Sequence, residues 1–147
     1  MTLLKVVDLK KYFPVYRSFI ERLLAGKQKY IKAVDGVSFE IEEGEVFCVV
    51  GESGCGKTTL GRLTIRLIEP TSGKIFFNGT EITALKGNEM RKMRRYMQII
   101  FQDPYASLNP RMTVGENIGH GLAIHETATG HTNKRTALAV LEKVGLT

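Results

Sequence analysis

Residues 51–59, GESGCGKTT, constrain this chain more than any other stretch. They fit the pattern G-x-x-x-x-G-K-[ST], with Gly51, Gly56, Lys57 and Thr58 at the fixed positions. The pattern alone occurs by chance, so its flanks decide what it means. The apolar run EVFCVV precedes it and the amphipathic stretch LGRLTIRLIEP follows. Strand, glycine loop and helix in that order make a phosphate cradle. A triphosphate is a dense polyanion, and consecutive backbone N–H groups must converge on it. Glycines tolerate the backbone angles and the close approach that this requires. The helix that follows aims its first N–H groups and its positive dipole end at the same place. In this reading Glu52, Ser53, Gly54 and Cys55 line the cradle with their backbone, and Cys55 serves it through its N–H, not its sulfur. Lys57 carries a mobile charge to the outer phosphates, the Thr58 hydroxyl ligates Mg²⁺, and Thr59 contacts an inner phosphate. The competing reading is an ordinary glycine-rich turn. All four pattern positions and both flanks stand against it.

The rest of the chain frames that loop. A length of 147 residues suits one domain, and 43% hydrophobic residues suffice for a core. No apolar run reaches membrane-spanning length, and Lys5 and Asp8 interrupt any leader-like segment after Met1. The expectation is a soluble, cytosolic chain or a peripheral subunit. Cys48 and Cys55 are too few for a disulfide framework and read as reduced thiols. The net charge of +6 is densest in RKMRR, residues 91–95. No aromatic platform or recognition motif accompanies it, so it reads as the solvated face of a short helix and not as a nucleic-acid surface.

Strands are expected at 3–9, at 37–41, where Val37, Phe39 and Ile41 alternate with Ser38 and Glu40, and at 45–50, whose unbroken apolar run suits a strand covered on both faces. Ser18 and Glu21 have capping-box spacing, predicting a short helix that Gly26 ends. Leu60, Leu63, Ile65, Leu67 and Ile68 line the helix after the loop, which Pro70 stops. Asn78-Gly79 within KIFFNGTEI marks a tight hairpin. NEMRKMRRY (88–96) reads as a short helix and MQIIF (97–101) as a strand. Thr113 and Glu116 predict a helix to about residue 122. The last helix, 133–144, carries Leu138, Leu141 and Val144 on one stripe with Gly145 past its end.

Four stretches together, AVDGVSFEIEEGE, GESGCGKTT, SGKIFFNG and IIFQDPYASLNPRMTVGENI, resemble the N-terminal half of an ABC-transporter ATP-binding subunit. DPYASLNPRMTV is similar to the dipeptide and oligopeptide importer branch, which also takes in nickel and glutathione importers. The resemblance implies an α/β P-loop NTPase fold, here a fragment. It would hold an antiparallel β part and the Walker A strand, loop and helix within 1–102, and the start of a helical subdomain in 103–147. It implies ATP and Mg²⁺ as cofactors, with residues 51–59 as the Walker A loop. It makes Gln102 the Q-loop glutamine, which contacts Mg²⁺ and relays nucleotide state. It puts an aromatic against adenine, with Phe13 the better match and Tyr12 the other. The implied partners are membrane-spanning permease subunits and a second ATPase subunit, at the inner face of the cell membrane.

The departures are as informative. LSGGQ, the Walker B strand with its following Glu, and the switch histidine do not occur within residues 1–147. His120, His125 and His131 do not match the last of these and read as surface histidines. Lys86 stands where a capping Ser is usual, so the helix after it is expected to start ragged. Cleaving a triphosphate needs a positioned water, a complete Mg²⁺ site and charge stabilisation. The 147-residue chain is therefore expected to bind nucleotide phosphates without hydrolysing ATP. The alternative is a non-catalytic phosphate-binding module. The apolar 45–50 strand, unpaired on one side, is expected either to drive self-association or to be covered in a way the family does not use.

Overall fold

Two long strands, β1 (Thr2–Pro14) and β2 (Tyr30–Glu42), pair antiparallel and organise the first part of the chain. The computed structural model describes residues 1–15, 28–103, 107–124 and 130–146. The helix expected from Ser18 and Glu21 lies outside them. The described residues fall into two compact units, Met1–Arg94 and Arg95–Thr147.

In the first unit β1 is a central strand. Its other edge takes β3 (Ser72–Phe77), which hairpins into β4 (Thr80–Glu81), giving the order β2-β1-β3-β4. The hairpin forms at Asn78-Gly79, whose φ angles of 45° and 75° are those a tight primed turn needs. Both strands of the β1–β2 pair run well past the stretches the alternation marked. Charged residues such as Lys10 and Lys11 sit in β1 because ladder bonding, not side-chain alternation, carries it there. β1 is bent at Asp8, which has φ 46° and donates its backbone N–H to Ser38 Oγ at 2.8 Å. The register shifts on both sides of β1 around this residue, as a bulge requires. Val6 and Leu9 flank the bulge and are fully buried together with Ile75, Ile82 and Leu63. These side chains form the core that seats the phosphate loop's helix, α1 (Lys57–Thr64), against the sheet.

Three expectations are corrected here. First, α1 is stopped before Pro70. Arg66 takes φ 52°, its N–H bonds the Leu63 carbonyl, and the Leu67 N–H bonds the Arg62 carbonyl at 2.8 Å. This is a Schellman closure with arginine where glycine is usual. Second, 45–50 forms no strand ladder among the described residues. Val46 and Val50 are 87% and 90% exposed. Phe47 stacks on Phe39 at 4.8 Å between centroids, and the Glu45 carboxylate accepts the Glu42 N–H at 2.7 Å. Third, 97–101 forms no ladder either, and Ile100 is 95% exposed. Both runs are apolar because the strands they would make are covered on two faces. A ladder depends on neighbours that pattern within the run does not supply.

The helix α2 (Gly87–Met93) follows, its first residue preceded by Lys86 with no side-chain cap, and a 3₁₀ turn (Arg94–Tyr96) continues it. In the second unit α3 (Val114–Ile124) and α4 (Gly130–Lys143) pack on each other. The capping box of α3 forms on both sides. The Thr113 N–H donates to Glu116 Oε2 at 2.7 Å and the Glu116 N–H donates to Thr113 Oγ1 at 3.3 Å. Contact with the Thr113 N–H, then its hydroxyl, holds the Glu116 carboxyl below its usual range. In α4 the stripe is corrected. Ala137 is buried, whereas Leu138 and Val144 are exposed. Gly145, at φ 77°, closes α4 as expected.

Candidate functional site

The phosphate loop is built from backbone. Gly56 caps α1 with φ 100°, a conformation side-chain-bearing residues avoid. It also lies so close to β2 that a Cβ there would meet the Ala33 carbonyl oxygen at 2.3 Å. A Cβ on Gly51 would meet Cys55 Sγ at 2.8 Å. The loop thus has no room for a side chain at Gly56, and one at Gly51 would displace the Cys55 thiol, so its inner face is left to backbone amides. That is the surface a polyanion requires. Lys57 opens α1 and folds back over the loop, donating from Nζ to the carbonyl oxygens of Gly51 at 2.8 Å and Glu52 at 2.6 Å. Its ammonium also lies 3.6 Å from Cys55 Sγ. The Cys55 N–H, expected to face the phosphates, donates to the Glu52 carbonyl at 3.3 Å. Thr58 and Thr59 follow Lys57 in the first turn of α1, Thr58 exposed and Thr59 half-buried. Both Cys48 and Cys55 are free thiols.

The two aromatics at the end of β1 differ. Tyr12 is held: its hydroxyl donates to Asp35, its backbone N–H donates to Thr71 Oγ1 at 2.9 Å, and the Lys32 ammonium lies 5.3 Å over its ring. The bond to Asp35 lifts the Tyr12 phenol above its ordinary range, and Tyr12 followed by Lys32 holds the Asp35 carboxyl below its own. Phe13 is 36% exposed, and its ring contacts the Lys11 ammonium at 5.1 Å. In the register Phe13 pairs with Ile31, two residues from Ala33, where the loop touches β2. Strand rise and spacing put Phe13 about 8 Å from that contact. Gln102 belongs to the second unit and is exposed.

Pattern reading missed three contributors. Ala33 acts through its carbonyl, for which no sequence signal exists. Arg66 is a second. Its guanidinium donates to the carbonyls of Ile82 at 2.7 Å and Leu85 at 2.6 Å and pairs with Glu69 at 2.9 Å, its side chain only 13% exposed. It ties the far end of α1 to the turn after β4. Lys11 is the third. Among the described residues no group of three or more His, Cys, Asp and Glu side chains is placed to hold a metal. No helix among the described residues is long and apolar enough to cross a membrane.

The antiparallel sheet, the glycine cradle and the helix that leaves it with Lys-Thr define a P-loop nucleotide-binding cassette. Residues 34–147 match the family described as ABC transporter. A probable peptide ABC transporter ATP-binding protein of Sinorhizobium fredii is 45% identical over 144 residues, covering 98% of this chain and 40% of that protein. An oligopeptide transport ATP-binding protein of Bacillus subtilis is 43% identical, covering 99% and 43%. A dimeric ATP-binding cassette solved with ADP and Pi in a post-hydrolysis state superposes with a TM-score of 0.74 at 26% identity, covering 95% of this chain and 56% of that one. This chain belongs to the ABC transporter family. It spans about 40% of the length of the curated relatives it matches.

Proposed function

We propose that this chain is the N-terminal part of an ATP-binding subunit that energises an importer for di- or oligopeptides. The observation that carries the nucleotide part is the cradle itself, closed to a side chain at Gly56 and overhung by Lys57. The peptide part rests on relatives described as peptide and oligopeptide transport ATP-binding proteins.

Proteins of this family bind ATP with Mg²⁺, and the residues here fit both. The amides of Gly51, Glu52, Ser53, Gly54, Cys55 and Gly56 and the start of α1 face the phosphates, so binding exchanges the Cys55–Glu52 contact for a charged acceptor. Lys57 leaves two neutral carbonyls for the same reason. Thr59 contacts an inner phosphate. The Thr58 hydroxyl would hold Mg²⁺, which neutralises phosphate charge when bound. Phe13, the more exposed ring, stacks on adenine, and Tyr12 braces the strand end beneath it. Gln102 relays nucleotide state to permease subunits at the inner face of the membrane, and a second ATPase subunit completes the assembly.

Uptake of a labelled dipeptide or oligopeptide in the host tests this. Deleting the gene abolishes uptake, the wild-type gene restores it, and Lys57→Ala does not. Loss of nickel or glutathione uptake with peptide uptake intact would refute the peptide assignment.

A further inference from the structure

Lys11 is held at two points. Its Nζ donates to the Glu69 backbone carbonyl at 2.7 Å and lies 5.1 Å from the centroid of the Phe13 ring. The register of β1 on β2 shifts between Lys11 and Tyr12, and the Lys11 ammonium nonetheless reaches the Phe13 ring. Glu69 leads into Thr71, whose N–H bonds the Lys10 carbonyl and whose hydroxyl takes the Tyr12 N–H. Ser72 then pairs with Lys10 as β3 begins. The tether of Lys11 is therefore on the β3 side of β1. The phosphate loop meets the sheet on the other side, at Ala33 of β2.

From this arrangement we infer that Lys11 is a positioning residue for the nucleotide base. Its ammonium backs the Phe13 ring, which is 36% exposed, and fixes that ring for an incoming purine. This rests on Phe13 being the base platform. Two contacts fix the cation: the carbonyl holds its position and the ring's negative face holds its orientation. A ring already ordered loses little freedom when a base stacks on it, which is how such a contact reaches affinity. The Tyr12 ring is committed elsewhere: its hydroxyl donates to Asp35 and the Lys32 ammonium lies 5.3 Å from its centroid.

The test compares ATP with inorganic tripolyphosphate, which has the phosphates and no base. Both are titrated against the 147-residue chain and against Lys11→Met, Lys11→Arg and Phe13→Leu. Lys11→Met is expected to weaken ATP binding about 2- to 5-fold, the size of an exposed cation–π contact, and to leave tripolyphosphate unchanged. Lys11→Arg should recover most of the loss, since a guanidinium reaches both a carbonyl and a ring face. Damage to the fold would lower both ligands together, so an equal loss overturns the inference. If Phe13→Leu lowers the ATP preference and Lys11→Met does not, Lys11 has no positioning role while the platform stands. If Phe13→Leu leaves the preference intact, the platform reading fails and the inference with it. A wild-type chain that binds neither ligand overturns both.

Discussion

Gly56→Ala isolates the contact that places the phosphate loop on the sheet. The added methyl meets two penalties. At φ 100° an L side chain is strained, at about 1–3 kcal/mol. The Cβ also lies 2.3 Å from the Ala33 carbonyl, where ordinary contact begins at 3.4 Å, so the loop or β2 must retreat by about 1 Å. Overpacking of that kind costs about 1–3 kcal/mol. Gly54→Ala is the matched control. It has φ 83° and nothing within 4 Å of its Cβ, so it carries the strain without the clash. Both variants stiffen the unfolded chain equally, and that gain cancels in the comparison. Urea unfolding of the pair should therefore place Gly56→Ala about 1–3 kcal/mol below Gly54→Ala, with each kcal/mol shifting a thermal midpoint by about 2–4 °C for a chain of this size. Equal midpoints would refute the reasoning, because the loop would then not press on β2.

Three further outcomes follow from the same geometry. Arg66→Met keeps the αL backbone strain but strips two carbonyls of their charged donor, and should cost about 2–4 kcal/mol in urea unfolding; a change below about 0.5 kcal/mol would show that the guanidinium is ornamental. The folded Glu116 carboxyl titrates below its ordinary 4.5, so its contribution is present above that value and lost as pH falls through the lowered one; amide-exchange protection at the start of α3 should decline over that window in the wild type and stay flat in Glu116→Gln. Light scattering should find the 147-residue chain self-associated through the exposed 45–50 run, and Val46→Lys with Val50→Lys should return it to monomer; a wild-type monomer at high concentration argues against it.

Where sequence and fold agree, the determinants are local. The phosphate loop, the Asn78-Gly79 turn and the Thr113–Glu116 box each depend on residues within a few positions of one another, and each forms as its spacing indicates. The runs 45–50 and 97–101 depend on neighbours across a sheet, so their apolar composition predicts what they need and not what they have. Arg66 departs for another reason. A non-glycine αL residue at a helix end is held here by its side chain, which bonds the carbonyls of Ile82 and Leu85, well removed along the chain, and pairs with nearby Glu69. The tie on Tyr12 is likewise tertiary, made by Asp35 taking its hydroxyl.

The central claim is that GESGCGKTT holds nucleotide phosphates, and one titration tests it most directly. ATP is added to the purified chain and to Lys57→Ala, with and without Mg²⁺. The wild type should bind saturably and more tightly with Mg²⁺, and Lys57→Ala should weaken binding about 10- to 100-fold, the value of one charged bond to phosphate. Binding that Lys57→Ala leaves unchanged would contradict the account.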